Sequence, residues 1–152
     1  MSINKEDIIS LREKTQAGVM DTRKALEEAH GDMKKAEELL ANWGASKAQK
    51  KAERSTGAGF VETYTHGEGK IGVMVEVACE TDFVAKTIEF KTLAHDLALQ
   101  IAAMDPTSVD ELLTQDFIKD QSLSIKDLVT AMIAKTGENI KIKRFQRFVL
   151  GV

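Results

Sequence analysis

The chain has 152 residues, 43% hydrophobic and 30% charged, which excludes a disordered composition and bounds the fold to one ordinary domain or a small domain with an appendage. A net charge of −3 supplies no global basic field for nucleic acid, no run approaches the ~18–20 apolar residues of a membrane span, and MSINKEDIIS lacks a signal peptide's basic and apolar regions. A lone Cys79 excludes an internal disulfide, and with His30, His66 and His95 scattered there is no zinc ligand set, so the expectation is a soluble, cytoplasmic protein without a metal site.

Charge and texture change together near residue 55. Residues 1–55 carry 11 Lys and Arg against 10 Asp and Glu, whereas residues 56–152 carry 10 against 14. The first segment reads as three short helices. Ile8 and Leu11 give the first a buried stripe, and Thr15 to Gly18 closes it. Asp21 is a candidate N-cap for the second, which presents Ala25, Leu26 and Ala29 and stops at Gly31. Asp32 caps a third bearing Met33, Ala36, Leu39, Leu40 and Trp43, expected to end at Gly44. So small a core suits docking better than catalysis. ASKAQKKAER, residues 45–54, reads as an exposed basic linker helix; Lys47, Lys50, Lys51 and Arg54 could meet phosphates, but such a run usually marks a solvated surface.

The second segment is mixed. Residues 58–65 and 70–78 flank Gly67-Glu68-Gly69 as a β-hairpin, and Ile71, Val73, Val75 and Val77 alternate along one buried face. A long helix over 87–104 ends at Asp105-Pro106, short helices follow near 108–114 and 124–136, and a strand closes the chain over 140–149. The expected fold class is therefore α+β, a three-helix module and linker helix followed by a three-stranded antiparallel sheet packed with helices. With unbroken alternation in the last strand, Phe145 and Val149, joined by Met74, would lie on a sheet face left wet in a monomer, a surface for a second subunit.

Few motifs carry chemistry. Gly67 to Gly72 spells G-x-G-x-x-G, but a strand follows where dinucleotide binding requires a helix, so a hairpin turn is the better reading. Cys79 at the end of an apolar strand reads as a buried structural thiol, and Glu80, Asp82 and the His95-Asp96 pair as solvated groups. Lys141, Lys143, Arg144 and Arg147 interleave with Phe145 and Phe148, a pattern that also suits single-stranded nucleic acid. The unusual stretch is Glu80 to Lys86, ETDFVAK. Its Phe83 either folds back into the core or stands out as an apolar wedge beside Asp82, and composition does not choose.

Three runs carry a resemblance. Leu11 to Leu26 (LREKTQAGVMDTRKAL) resembles the N-terminal signature of the elongation factor Ts family, L-R-x-x-T-G-A-G-x-M-D-x-K-x-A-L. Glu76 to Lys86 (EVACETDFVAK) resembles its second signature, and Gly137-Glu138-Asn139-Ile140 its G-E-N-I element. The resemblance implies a guanine nucleotide exchange factor for elongation factor Tu, with no chemical step and no cofactor of its own, magnesium and GDP belonging to the partner. It implies an N-terminal module similar to ubiquitin-associated domains, docking through Arg12, Val19 and Met20, and a loop of Thr81, Asp82, Phe83 and Val84 that enters near the partner's magnesium site. It implies neither a membrane nor a direct nucleic-acid partner. Two departures stand out: Gln16 replaces the usual Gly, and Ala78 stands where Asn is common. The connection over 105–125 is short for the family, and short members resemble this layout and work as dimers, so residues 56–152 are expected to form a homodimer through the sheet, with the closing strand 140–149 at its centre.

Overall fold

The computed structural model describes residues 3–152; Met1 and Ser2 of the first segment lie outside the described residues. Two compact units emerge. One comprises the chain up to Ala52 together with Thr130–Gly137, and the other Glu53–Val129 with Glu138–Val152. The inclusion of Thr130–Gly137 in the first unit has no counterpart in a linear boundary near residue 55.

In the first unit Asn4 opens α1 (Lys5–Thr15), its side-chain oxygen accepting from Glu6 N–H. Gly18 precedes α2 (Val19–Glu28) and Asp32 caps α3 (Met33–Lys51) by accepting from Lys34 and Lys35 N–H. Leu11, Ala25, Leu26, Ala29, Ala36 and Leu40 form the core, with Trp43 packed against it. Two expectations are corrected. Asp21 is not the cap; it sits in the first turn of α2 and pairs with Lys47 Nζ at 2.6 Å. Nor does Gly44 stop the third helix. A helical glycine costs only about 1 kcal/mol relative to Ala, too little to end a helix flanked by strong helix formers. A Cβ at Gly44 would meet Ala134 Cβ at 3.6 Å, an ordinary van der Waals contact, so nothing there requires glycine.

The second unit is built on a three-stranded antiparallel sheet in the order β1 (Ala58–His66), β2 (Ile71–Cys79), β5 (Lys141–Val149). Val73, Val75 and Val77 are buried. The helix α5 (Ile88–Met104) covers that face with Phe90, Leu93, Leu97 and Ile101. A short helix α4 (Asp82–Ala85) precedes α5. Beyond α5 come α6 (Val109–Thr114), an unanticipated two-stranded hairpin of β3 (Asp116–Phe117) and β4 (Asp120–Ser124), and α7 (Ile125–Thr136), which from Thr130 onward belongs to the first unit. Fully buried Gln100 holds that hairpin: its Nε2 donates to the Asp116 carbonyl at 3.0 Å and its Oε1 accepts from Ile118 N–H at 2.9 Å.

The β2–β5 register shifts between Glu76 and Val77, where Arg144 opposes Glu76 but Ile142 opposes Val77. This bulge inserts one residue and reverses the expected parity. Phe145 and Val149 stand opposite Val75 and Ile71, on the face that α5 covers, while Met74 points the other way. The three residues grouped as one wet surface are therefore not on one face. The open face instead carries Val61 and Met74, about half exposed, and Phe148, 69% exposed.

Candidate functional site

The corner between β2 and α4 is built from both ends of the second unit. β2 delivers the chain through buried Cys79, whose Sγ–H donates to the Thr81 carbonyl at 3.2 Å. Burial, reinforced by the Glu138 carboxylate, raises that thiol's pKa above its ordinary value. From the segment before β5, Glu138 reaches back: Oε1 accepts from Glu80 N–H at 3.1 Å and Thr81 N–H at 3.0 Å, and Oε2 accepts from the Thr81 hydroxyl at 2.6 Å. Glu80 reciprocates. Its Oε1 accepts from Asn139 N–H at 2.7 Å and lies 3.5 Å from Arg54 Nη1, while Asn139 Nδ2 donates to the Arg54 carbonyl at 2.8 Å.

Thr81 then begins a new helix by accepting, at Oγ1, from Val84 N–H at 3.4 Å. Thr87 repeats the device, donating its hydroxyl to the Val84 carbonyl and accepting from Phe90 N–H. Two caps six residues apart make a tight corner, with Ala85 buried as its apolar foot. On that frame the choice left open for Phe83 is resolved. Its ring is 90% exposed, beside an exposed Asp82, and does not return to the core. Val84 is half-buried, and Ile88 of the following turn is 80% exposed. Sequence reasoning found the loop but not the Glu138–Thr81 link; its signal was a carboxylate beside Asn139 in a motif noticed only for its likeness.

In the first unit, the turn between α1 and α2 opens an apolar and charged surface. Gln16 ends α1 in the left-handed region at φ 58°, and Arg12 Nε donates to the Ala17 carbonyl at 3.3 Å. Arg12, Ile9 and Gln16 line an open cleft of about 450 Å³, with Lys135 among its other walls. Val19 and Met20, the first two residues of α2, are 49% and 73% exposed. The structure thus brings Arg12 and the Val19-Met20 pair to the two sides of one turn.

Two of the four cations of the basic strand are engaged within the chain. Arg144 Nε pairs with Glu76 at 2.7 Å, and Arg147 donates to the Ala102 carbonyl at 3.1 Å. Among the described residues no His, Cys, Asp and Glu group is arranged to hold a metal ion, and no helix is long and apolar enough to cross a membrane.

Comparison with known proteins bears on this corner directly. A family model described as Elongation factor TS matches residues 80–151, a span that includes both Thr81 and Glu138. Elongation factor Ts of Carboxydothermus hydrogenoformans is 43% identical over 194 positions, covering 98% of this chain and 89% of that protein. The chain belongs to the elongation factor Ts family. Elongation factor Ts of Thermotoga maritima is 41% identical, covering 99% of this chain and 98% of the relative, and that of Gloeobacter violaceus is 43% identical over 98% of this chain. The family resemblance read from three motifs therefore holds along nearly the whole chain, and with it a role as a translation elongation factor. Alignments of 194 positions against 152 residues also mean that these relatives carry stretches inside the matched span with no counterpart here.

Proposed function

We propose that the chain is a guanine nucleotide exchange factor for elongation factor Tu, acting in the cytoplasm without a chemical step or a cofactor of its own. Arg12, Val19 and Met20 dock the first unit on the partner. Phe83, with Asp82 beside it and Thr81 and Val84 framing it, enters near the partner's magnesium site, and GDP and magnesium are the partner's. The observation that carries this reading is the exposed Phe83 ring on a doubly capped corner.

The energetics require both contacts. An exchange factor must bind the nucleotide-free partner more tightly than the GDP-bound one, and reciprocity then weakens GDP binding by the same factor. A ten-thousand-fold faster release needs about 5.5 kcal/mol off the barrier. One inserted aromatic contributes roughly 2–4 kcal/mol, so docking elsewhere must supply the rest. A corner already ordered before binding spends little of that energy on freezing the loop.

The same reading includes a homodimer. The open sheet face with Val61, Met74 and Phe148 is the surface it would use, in place of the Phe145 and Val149 pair first expected. The exchange reading is tested by release of a fluorescent GDP analogue from elongation factor Tu with catalytic amounts of the chain. Acceleration is expected; none, with a partner shown to be active, would contradict it.

A further inference from the structure

Glu138 sits 57 residues from Thr81 in sequence, yet one carboxylate satisfies both backbone N–H groups that lead into the exchange corner and the hydroxyl that caps it. The Thr81 hydroxyl has two partners at once: it donates to Glu138 and accepts from Val84 N–H. Glu138 thereby fixes the rotamer in which Thr81 starts α4, and α4 is the turn that carries Asp82 and Phe83. Charge-assisted bonds of this kind are shorter and stronger than neutral ones, and the 2.6 Å separation from the hydroxyl is in that range.

The position matters because β2 alone does not determine where the chain goes after Cys79. Ala78 offers no side-chain hydrogen bond at the end of the strand. The direction of the corner is set from outside, by the segment entering β5. Resting on the exchange reading above, we propose that Glu138 is a positioning residue for exchange: its carboxylate holds the Thr81 corner so that Phe83 is presented in its inserting orientation before the partner arrives. Glu138 does not touch the partner. It acts through Thr81, and its neighbour Glu80, tied to Asn139 N–H, closes the clamp from the other side.

The consequence is a rate effect rather than an affinity effect. A corner that samples other directions is competent only part of the time, and the maximal rate falls by that fraction. Docking by the first unit is untouched. The test compares the full chain with its Glu138→Ala and Glu138→Gln variants in two measurements: release of the GDP analogue across a range of partner concentrations, and amide hydrogen exchange. Glutamine keeps an oxygen for the two N–H groups and offers an N–H to the Thr81 oxygen.

Glu138→Ala is expected to lower the maximal release rate about tenfold, with the half-saturating partner concentration changed less than about twofold. Its Glu80 and Thr81 amides exchange faster while Val75 and Val77 stay protected. Glu138→Gln restores both the protection and the rate. The proposal is overturned if Glu138→Ala leaves the maximal rate unchanged, or if rate and Thr81 protection fail to move together across the three proteins. A parent chain that does not accelerate release overturns the exchange reading itself, and that result is distinct because it appears before any variant is compared.

Discussion

Phe145 stands opposite Val75 across the β2–β5 ladder, and that pairing puts it on the same sheet face as the buried valines of β2. Phe148, three residues on, stands opposite Gly72 on the other face and is 69% exposed. Substitution of the two phenylalanines should therefore separate folding from association. Phe148→Asp is expected to yield a monomer in sedimentation velocity with little change in the unfolding of the isolated subunit. Phe145→Ala is expected to cost about 2 kcal/mol in urea unfolding, because its half-buried ring lies on the covered face of the sheet. A Phe148→Asp protein that remains dimeric would contradict the open-face interface.

Gly59 lies opposite Ala78 at the start of the sheet, where a Cβ would approach the Val77 carbonyl oxygen to 2.3 Å and Ala78 Cα to 2.9 Å. Both are backbone atoms and cannot swing aside. Gly59→Ala is expected to destabilise the chain by about 2–3 kcal/mol in urea unfolding. Gly57→Ala is the control, because a Cβ there meets nothing within 4 Å. Equal effects at the two positions would contradict the steric account.

Gln16 occupies the left-handed region at φ 58°, where its Cβ is strained and where glycine is at ease. Gln16→Gly should raise the thermal midpoint slightly, by the equivalent of about 0.5 kcal/mol, since the larger freedom of glycine in the unfolded chain offsets part of the relief. A lowered midpoint would show that the Gln16 side chain, which donates to the Glu13 carbonyl, is worth more than the strain.

Cys79 provides a pH dependence whose sign is fixed. Its thiol pKa is raised in the folded chain, first by burial and then by Glu138. The unfolded thiol ionises first, so the contribution is complete below the ordinary thiol value of about 8.5 and is lost as pH rises through the folded value. In urea unfolding, the parent should lose more stability between about pH 7.5 and pH 10 than Cys79→Ala does. Equal losses would contradict the raised value.

Local chemistry made much of this fold legible. Asp32 before Met33, the alternation of Val73, Val75 and Val77, and Asp105 before Pro106 each mark an element by a rule that acts within a few residues. What escaped was decided at long range. A single bulge opposite Glu76 reversed the faces of β5, and alternation cannot show where a partner strand slips by one. Gly44 continues its helix and faces Ala134, a residue 90 positions away. The candidate site divides in the same way. The ETDFVAK stretch stands out in the sequence, but the exposure of Phe83 does not; the caps at Thr81 and Thr87 appear in the structure, as does the Glu138 clamp, which joins residues that no local pattern connects.

On the exchange reading, the exposed Phe83 ring drives GDP release. Its 90% exposure means that Phe83→Ala removes almost no packing within the chain, so a changed rate reflects the partner and not the fold. The most direct measurement is release of a fluorescent GDP analogue from elongation factor Tu by the parent and by Phe83→Ala at equal catalytic concentrations. The account expects the parent to accelerate release and the variant to lose roughly 30- to 1000-fold of that acceleration, the equivalent of about 2–4 kcal/mol. Acceleration by Phe83→Ala equal to that of the parent would contradict it.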